Sequence, residues 1–98
     1  MNKNFFTVAA FYAFADLLNV KELQRIFTHF LKKEDIKGTV LLAHEGINGT
    51  VSGTKAAIDQ FKNFLKSHKL HESQNFKTST STVDPFPRLK VKLKDEIV

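Results

Sequence analysis

Gly38-Thr39-Val40-Leu41-Leu42-Ala43-His44-Glu45-Gly46-Ile47-Asn48-Gly49-Thr50-Val51-Ser52-Gly53 is the stretch on which the fold turns. Residues 39–44 are apolar almost without a break, as a strand covered on both faces would be, and Thr50-Val51-Ser52 is a second β-prone run. Between them Glu45-Gly46-Ile47-Asn48-Gly49 brings two glycines and an Asn-Gly pair, the residues that tight hairpin turns demand. The spacing predicts a β-hairpin opened by Gly38, with its turn at 45–49. Gly53-Thr54 then closes it, Thr54 caps a helix, and Ile58, Phe61, Phe64 and Leu65 form the apolar stripe of that helix.

Upstream, residues 5–14 are apolar at both parities, which predicts a central strand covered on both faces. A helix over 20–33 follows. Asn19 is its N-cap, Glu22 stands three residues on, Leu18 can staple onto Leu23, and Leu23, Ile26, Phe27, Phe30 and Leu31 recur at helical spacing. Lys32 and Lys33 suit the negative end of its dipole. Downstream, a strand is expected over 75–79, then a loop through Thr78-Ser79-Thr80-Ser81-Thr82 and Asp84-Pro85-Phe86-Pro87. Finally Arg88-Leu89-Lys90-Val91-Lys92-Leu93-Lys94 alternates strictly, with Leu89, Val91 and Leu93 on one face and four cations on the other. No internal repeat is visible.

Strand, helix, strand, strand, helix, strand is the order of the split βαβ motif. The expected class is therefore α+β: a ferredoxin-like βαββαβ two-layer sandwich with an additional C-terminal basic strand, forming one domain over 1–98. Two helices shield only one side of such a sheet, yet the first two strands are apolar on both. Something else is expected to cover the open face.

Composition narrows the chemistry. The chain has 98 residues, 42% of them hydrophobic and ten of them Phe, enough for one core. It has no Cys, which excludes disulfides, thiolate metal ligands and a cysteine nucleophile. A net charge of +5 and a pI near 9.6 lean toward an anionic partner such as nucleic acid. The longest apolar run is about half of the roughly 20 residues that span a bilayer. Lys3 and Ala13-Phe14-Ala15 together resemble a secretory signal, but the basic region is minimal and the run serves as a strand, so a cytoplasmic protein is expected. Asn48-Gly49-Thr50 fits a glycosylation sequon, which has no meaning off the secretory route.

Few residues carry chemistry on spacing alone. Glu45, Gly46, Asn48 and Gly49 could expose backbone N–H groups to a phosphate, or could simply make a hairpin; the lysine and following helix of a P-loop are missing. His44 lacks a second His four residues on, and His29, His68 and His71 fit no metal spacing, so solvent-exposed histidines, no metal and no cofactor are expected. No base or oxyanion site accompanies Ser79 to Thr82, and no catalytic residue is assigned. Arg88, Lys90, Lys92 and Lys94 stand about 6.6 Å apart along one strand face, a spacing at which cations can follow a phosphodiester backbone. Edge lysines that prevent sheet-to-sheet aggregation would look the same.

Read together, residues 38–53 and Pro85-Phe86-Pro87-Arg88-Leu89-Lys90-Val91-Lys92-Leu93-Lys94-Asp95-Glu96-Ile97-Val98 resemble the N-terminal domain of the rhodanese-containing, oxygen-dependent tRNA uridine hydroxylases. The resemblance covers nearly the whole chain, and its Glu-Gly-Ile-Asn-Gly-Thr core is specific when paired with the basic ending. It implies an acylphosphatase-like domain that assists tRNA binding and packs on a following rhodanese domain, whose cysteine supports hydroxylation of the wobble uridine. This chain lacks that cysteine, so no activity carries over to any residue of it. A true acylphosphatase would need an arginine in the anion cradle after its first strand, and residues 13–19 have none. An RNA-recognition module would carry a Lys/Arg-Gly-aromatic signature that Thr50-Val51-Ser52 does not supply.

Overall fold

The computed structural model describes residues 5–72 and 75–95; Lys3 and the Glu96-Ile97-Val98 ending lie outside them. The described elements are β1 (Phe6–Phe14), α1 (Val20–Lys33), β2 (Lys37–Ala43), β3 (Gly46–Gly53), α2 (Lys55–Ser67), β4 (Phe76–Ser81) and β5 (Leu89–Leu93). They build one mixed sheet in the order β4-β1-β3-β2-β5, in which the first four strands pair antiparallel and β5 runs parallel to β2. This is the βαββαβ sandwich with an added basic strand that the element order predicts.

Both helices start where cap chemistry places them. Asn19 Oδ1 accepts from the Glu22 N–H at 3.2 Å, and Thr54 Oγ1 accepts from the Ala57 N–H at 3.0 Å. Leu18, however, is 93% exposed and staples nothing, and the Glu22 carboxylate pairs with Arg25. The core lies between helices and sheet, with Ala9, Phe11, Val40, Leu42, Ile47 and Val51 from the strands and Phe27, Leu31, Ile58, Phe61 and Leu65 from the helices. Phenylalanine rings knit the layers together. Phe11 meets Phe61 edge-on at 5.2 Å, Phe27 meets Phe64 at 4.9 Å, and Phe30 stacks on Phe64 at 4.2 Å.

Four local expectations need correction. The hairpin turn is the two residues His44-Glu45, since Ala43 pairs with Gly46, so Gly46, Asn48 and Gly49 all lie within β3. A side chain at Gly46 (φ 149°) would place its Cβ 2.1 Å from the Ala13 carbonyl oxygen, so this glycine serves close approach of β1. Thr78 to Ser81 is the body of edge strand β4 instead of a loop; being exposed, it shows no apolar alternation to read. β1 is central but covered on one face only: Ala9, Phe11 and Ala13 are buried while Ala10, Tyr12 and Phe14 are exposed. Finally, His68 packs on Phe64 at 4.7 Å and His71 on Phe76 at 5.4 Å, so these two are ring-packed instead of fully solvated; His29 is exposed.

Candidate nucleic-acid interface

β5 joins the sheet beside β2, and hydrogen bonds extend the pairing beyond both of its ends. The Gly38 N–H donates to the Arg88 carbonyl at 3.0 Å, and the Lys94 N–H donates to the Leu42 carbonyl at 2.8 Å. Leu89, Val91 and Leu93 are therefore turned toward α1, half-buried. Arg88, Lys90, Lys92 and Lys94 are all exposed on the opposite side, the side that no helix covers. The outer edge of β5 is capped in part by α1, where Gln24 Nε2 donates to the Val91 carbonyl at 2.8 Å.

The strand register places other residues on the same open face. Crossing from β1 to β5, one row is Tyr12, Asn48, Leu41 and Lys92; the next is Ala10, Thr50, Thr39 and Lys90, with Lys77 of β4 beside Ala10. The face is thus basic along the β5 edge, has Lys77 on the β4 edge, and carries hydroxyls, an amide and aromatic rings between. The cations and the uncovered aromatic surface share one side of the sheet, the side for which a cover is expected.

One end of this face is closed by the chain itself. β4 and β5 lie at opposite edges of the sheet, so residues 82–88 must cross three strands. Ser52, only 1% exposed, donates from Oγ to Asp84 Oδ1 at 2.8 Å; the Phe86 N–H donates to the same oxygen at 3.2 Å, and Lys37 Nζ lies 3.6 Å from Oδ2. Burial acts to raise the Asp84 pKa, but the Ser52 and Phe86 hydrogen bonds and the Lys37 ammonium prevail and hold it below the ordinary carboxylate value. Tyr12 and Phe14 sit toward the other end and stay open.

The loop after β1 has different chemistry. The Ala15 N–H donates to the Glu45 carbonyl at 3.1 Å and the Leu17 N–H to the His44 carbonyl at 2.8 Å, while His44 Nδ1 lies 3.0 Å from the Leu17 carbonyl. The turn and this loop satisfy each other. Two of the loop's backbone donors, at Ala15 and Leu17, are thereby engaged, and Asp16 stands in a loop that carries no arginine. Among the described residues no trio of His, Cys, Asp or Glu gathers as a metal site, and no helix is long and apolar enough to cross a membrane.

Sequence reading found the four cations and missed Tyr12, Phe14, Lys77 and the Ser52–Asp84 pair. The aromatic pair was hidden because both parities of β1 are apolar. Lys77 is a lone lysine in a polar run, and the serine and aspartate are 32 residues apart.

Fold and surface together define an acylphosphatase-like α+β domain whose first loop carries no arginine and whose uncovered sheet face bears a row of cations. The model of the UPF0176 acylphosphatase-like domain matches residues 6–97, and the chain belongs to that family. It is similar to the tRNA uridine(34) hydroxylase of Bartonella quintana (strain Toulouse), 47% identical over 98 residues, covering 100% of this chain and 32% of that protein. A protein of the same name from Ehrlichia canis (strain Jake) is 40% identical over 94 residues, covering 95% of this chain and 34% of its own length. The chain thus spans about a third of the length of these curated relatives. Among solved structures, an acylphosphatase from Coxiella burnetii superposes with a TM-score of 0.60 at 15% identity, covering 91% of this chain and 94% of that one. The BLUF protein BlrB superposes at 0.66 with 13% identity, covering 92% and 73%. These two likenesses concern fold alone.

Proposed function

We propose that this chain is the non-catalytic N-terminal domain of a cytoplasmic tRNA uridine hydroxylase and that its open sheet face contacts the tRNA backbone through Arg88, Lys90, Lys92 and Lys94. Hydroxylation of the wobble uridine belongs to a following rhodanese domain, because this chain has no thiol. One observation carries the reading: the four cations stand in a row on the face that no helix covers, bordered by hydroxyl and amide side chains. Each phosphate neutralised adds about 0.7 to 0.9 to the slope of log affinity against log salt. In the full-length enzyme, changing all four to Ser should weaken tRNA binding and flatten that slope by about 3. A folded quadruple variant with unchanged affinity and slope would defeat the proposal.

A second reading, a purely structural module against the rhodanese domain, is favoured by the exposure of Leu18, Tyr12 and Phe14. It predicts that unchanged salt slope.

A further inference from the structure

We propose that Tyr12 and Phe14 form a platform on which an unpaired nucleobase of the RNA stacks. The proposal rests on the RNA-binding reading above and assigns it a second kind of contact. Both side chains project from β1 onto the open face, 46% and 64% exposed. Their rings meet edge-on, with centroids 5.8 Å apart and planes at 68°, so the contact occupies at most one face of one ring. Beside Phe14 the floor of the sheet is Gly46 and then Ala43, residues too small to obstruct a planar ring. The 82–88 crossing that buries Ser52 closes the opposite end of the face, so this end stays accessible.

Charge complementarity selects the occupant. Lys77 stands diagonally across from Tyr12 on β4, and Lys92 lies three strand spacings away, about 14 Å, on β5. A protein-docking patch is depleted of charge at its core. Here, by contrast, Lys77 and Lys92 stand on either side of Tyr12, and Thr50 and Thr39 fill the row next to it. Among the neighbouring carboxylates, Asp84 is tied to Ser52 at the far end, and Asp16 and Glu45 sit in loops past the end of β1. Aromatic rings on an open sheet face that also carries cations are the arrangement that binds single-stranded RNA, with bases on the rings and phosphates on the lysines. Paired bases are already stacked within a duplex and offer no free face.

Tyr12 is the sole tyrosine of a chain without tryptophan, so the protein's intrinsic emission above the phenylalanine background comes from this ring alone. Titrating the purified chain with a single-stranded oligoribonucleotide should quench that emission, and titration with inorganic polyphosphate should not. Tyr12→Leu with Phe14→Leu keeps apolar area but removes stacking. With folding checked by circular dichroism, this pair should weaken single-strand binding about 5- to 150-fold at unchanged salt slope, and Tyr12→Phe should restore most of it. Single-strand affinity equal to wild type in the leucine pair, with no quenching by RNA, would overturn the platform and leave the rings to protein docking. A wild-type chain whose RNA binding shows no salt slope would instead refute the underlying cation reading, so the two failures are distinguishable.

Discussion

Gly49 shows how one position can carry two meanings. Next to Asn48 it has the chemistry of a hairpin turn, but it lies inside β3, opposite Phe11 on one side and Val40 on the other. A Cβ there would stand 2.3 Å from the Thr39 carbonyl oxygen and 3.1 Å from Phe11 Cζ, so backbone and a core ring both depend on its absence. Gly49→Ala should therefore destabilise the domain by about 3 kcal/mol, the upper end of overpacking costs, read as a lower urea midpoint at unchanged slope. A midpoint equal to wild type would show that the strand can shift to admit the methyl. His71 belongs here too. Burial, then Lys66 and Lys62, lowers its pKa below 6.5, so the unfolded chain takes up the proton first and stability falls as pH drops below that value.

The strands and helices obey local rules where neighbours in sequence are also neighbours in space. The caps at Asn19 and Thr54, the helix over 20–33 and the alternation of β5 are legible for that reason. The path from β4 to β5 is not. Its ends are four strand spacings apart, about 19 Å, and the eight steps from Ser81 to Leu89 reach about 26 Å fully extended. Little slack remains, and the Asp84 carboxylate holds the middle of the crossing through Ser52, Phe86 and Lys37. Because the folded carboxyl binds its proton less tightly than the unfolded one, this contribution is complete above about pH 3.8 and is lost as pH falls through the lower folded value. Asp84→Asn should cost about 1 kcal/mol at neutral pH, and the deficit should close in acid. A deficit constant from pH 7 to 2 would mean that the charge of Asp84 plays no part.

For the molecule as a whole, likeness of fold to an acylphosphatase makes a sharp test of how far shape implies activity. The loop after β1 spends its Ala15 and Leu17 N–H groups on Glu45 and His44 and carries Asp16 but no arginine, so the purified chain should hydrolyse acyl phosphates no faster than buffer. Turnover that survives repurification and is abolished by Asn48→Ala would reverse this. The order of elements, the capped helix starts, the basic alternating strand and the lack of any thiol follow from residues close together along the chain, where hydrophobic period and cap chemistry act over a few positions. Which side of β1 stays uncovered, where the hairpin turns, and the meeting of Tyr12 and Phe14 with Lys77, Lys90 and Lys92 on one face depend on pairing between residues as many as 75 apart. Register and strand order set that pairing, and a β1 apolar at both parities holds no local sign of which side the helices will take.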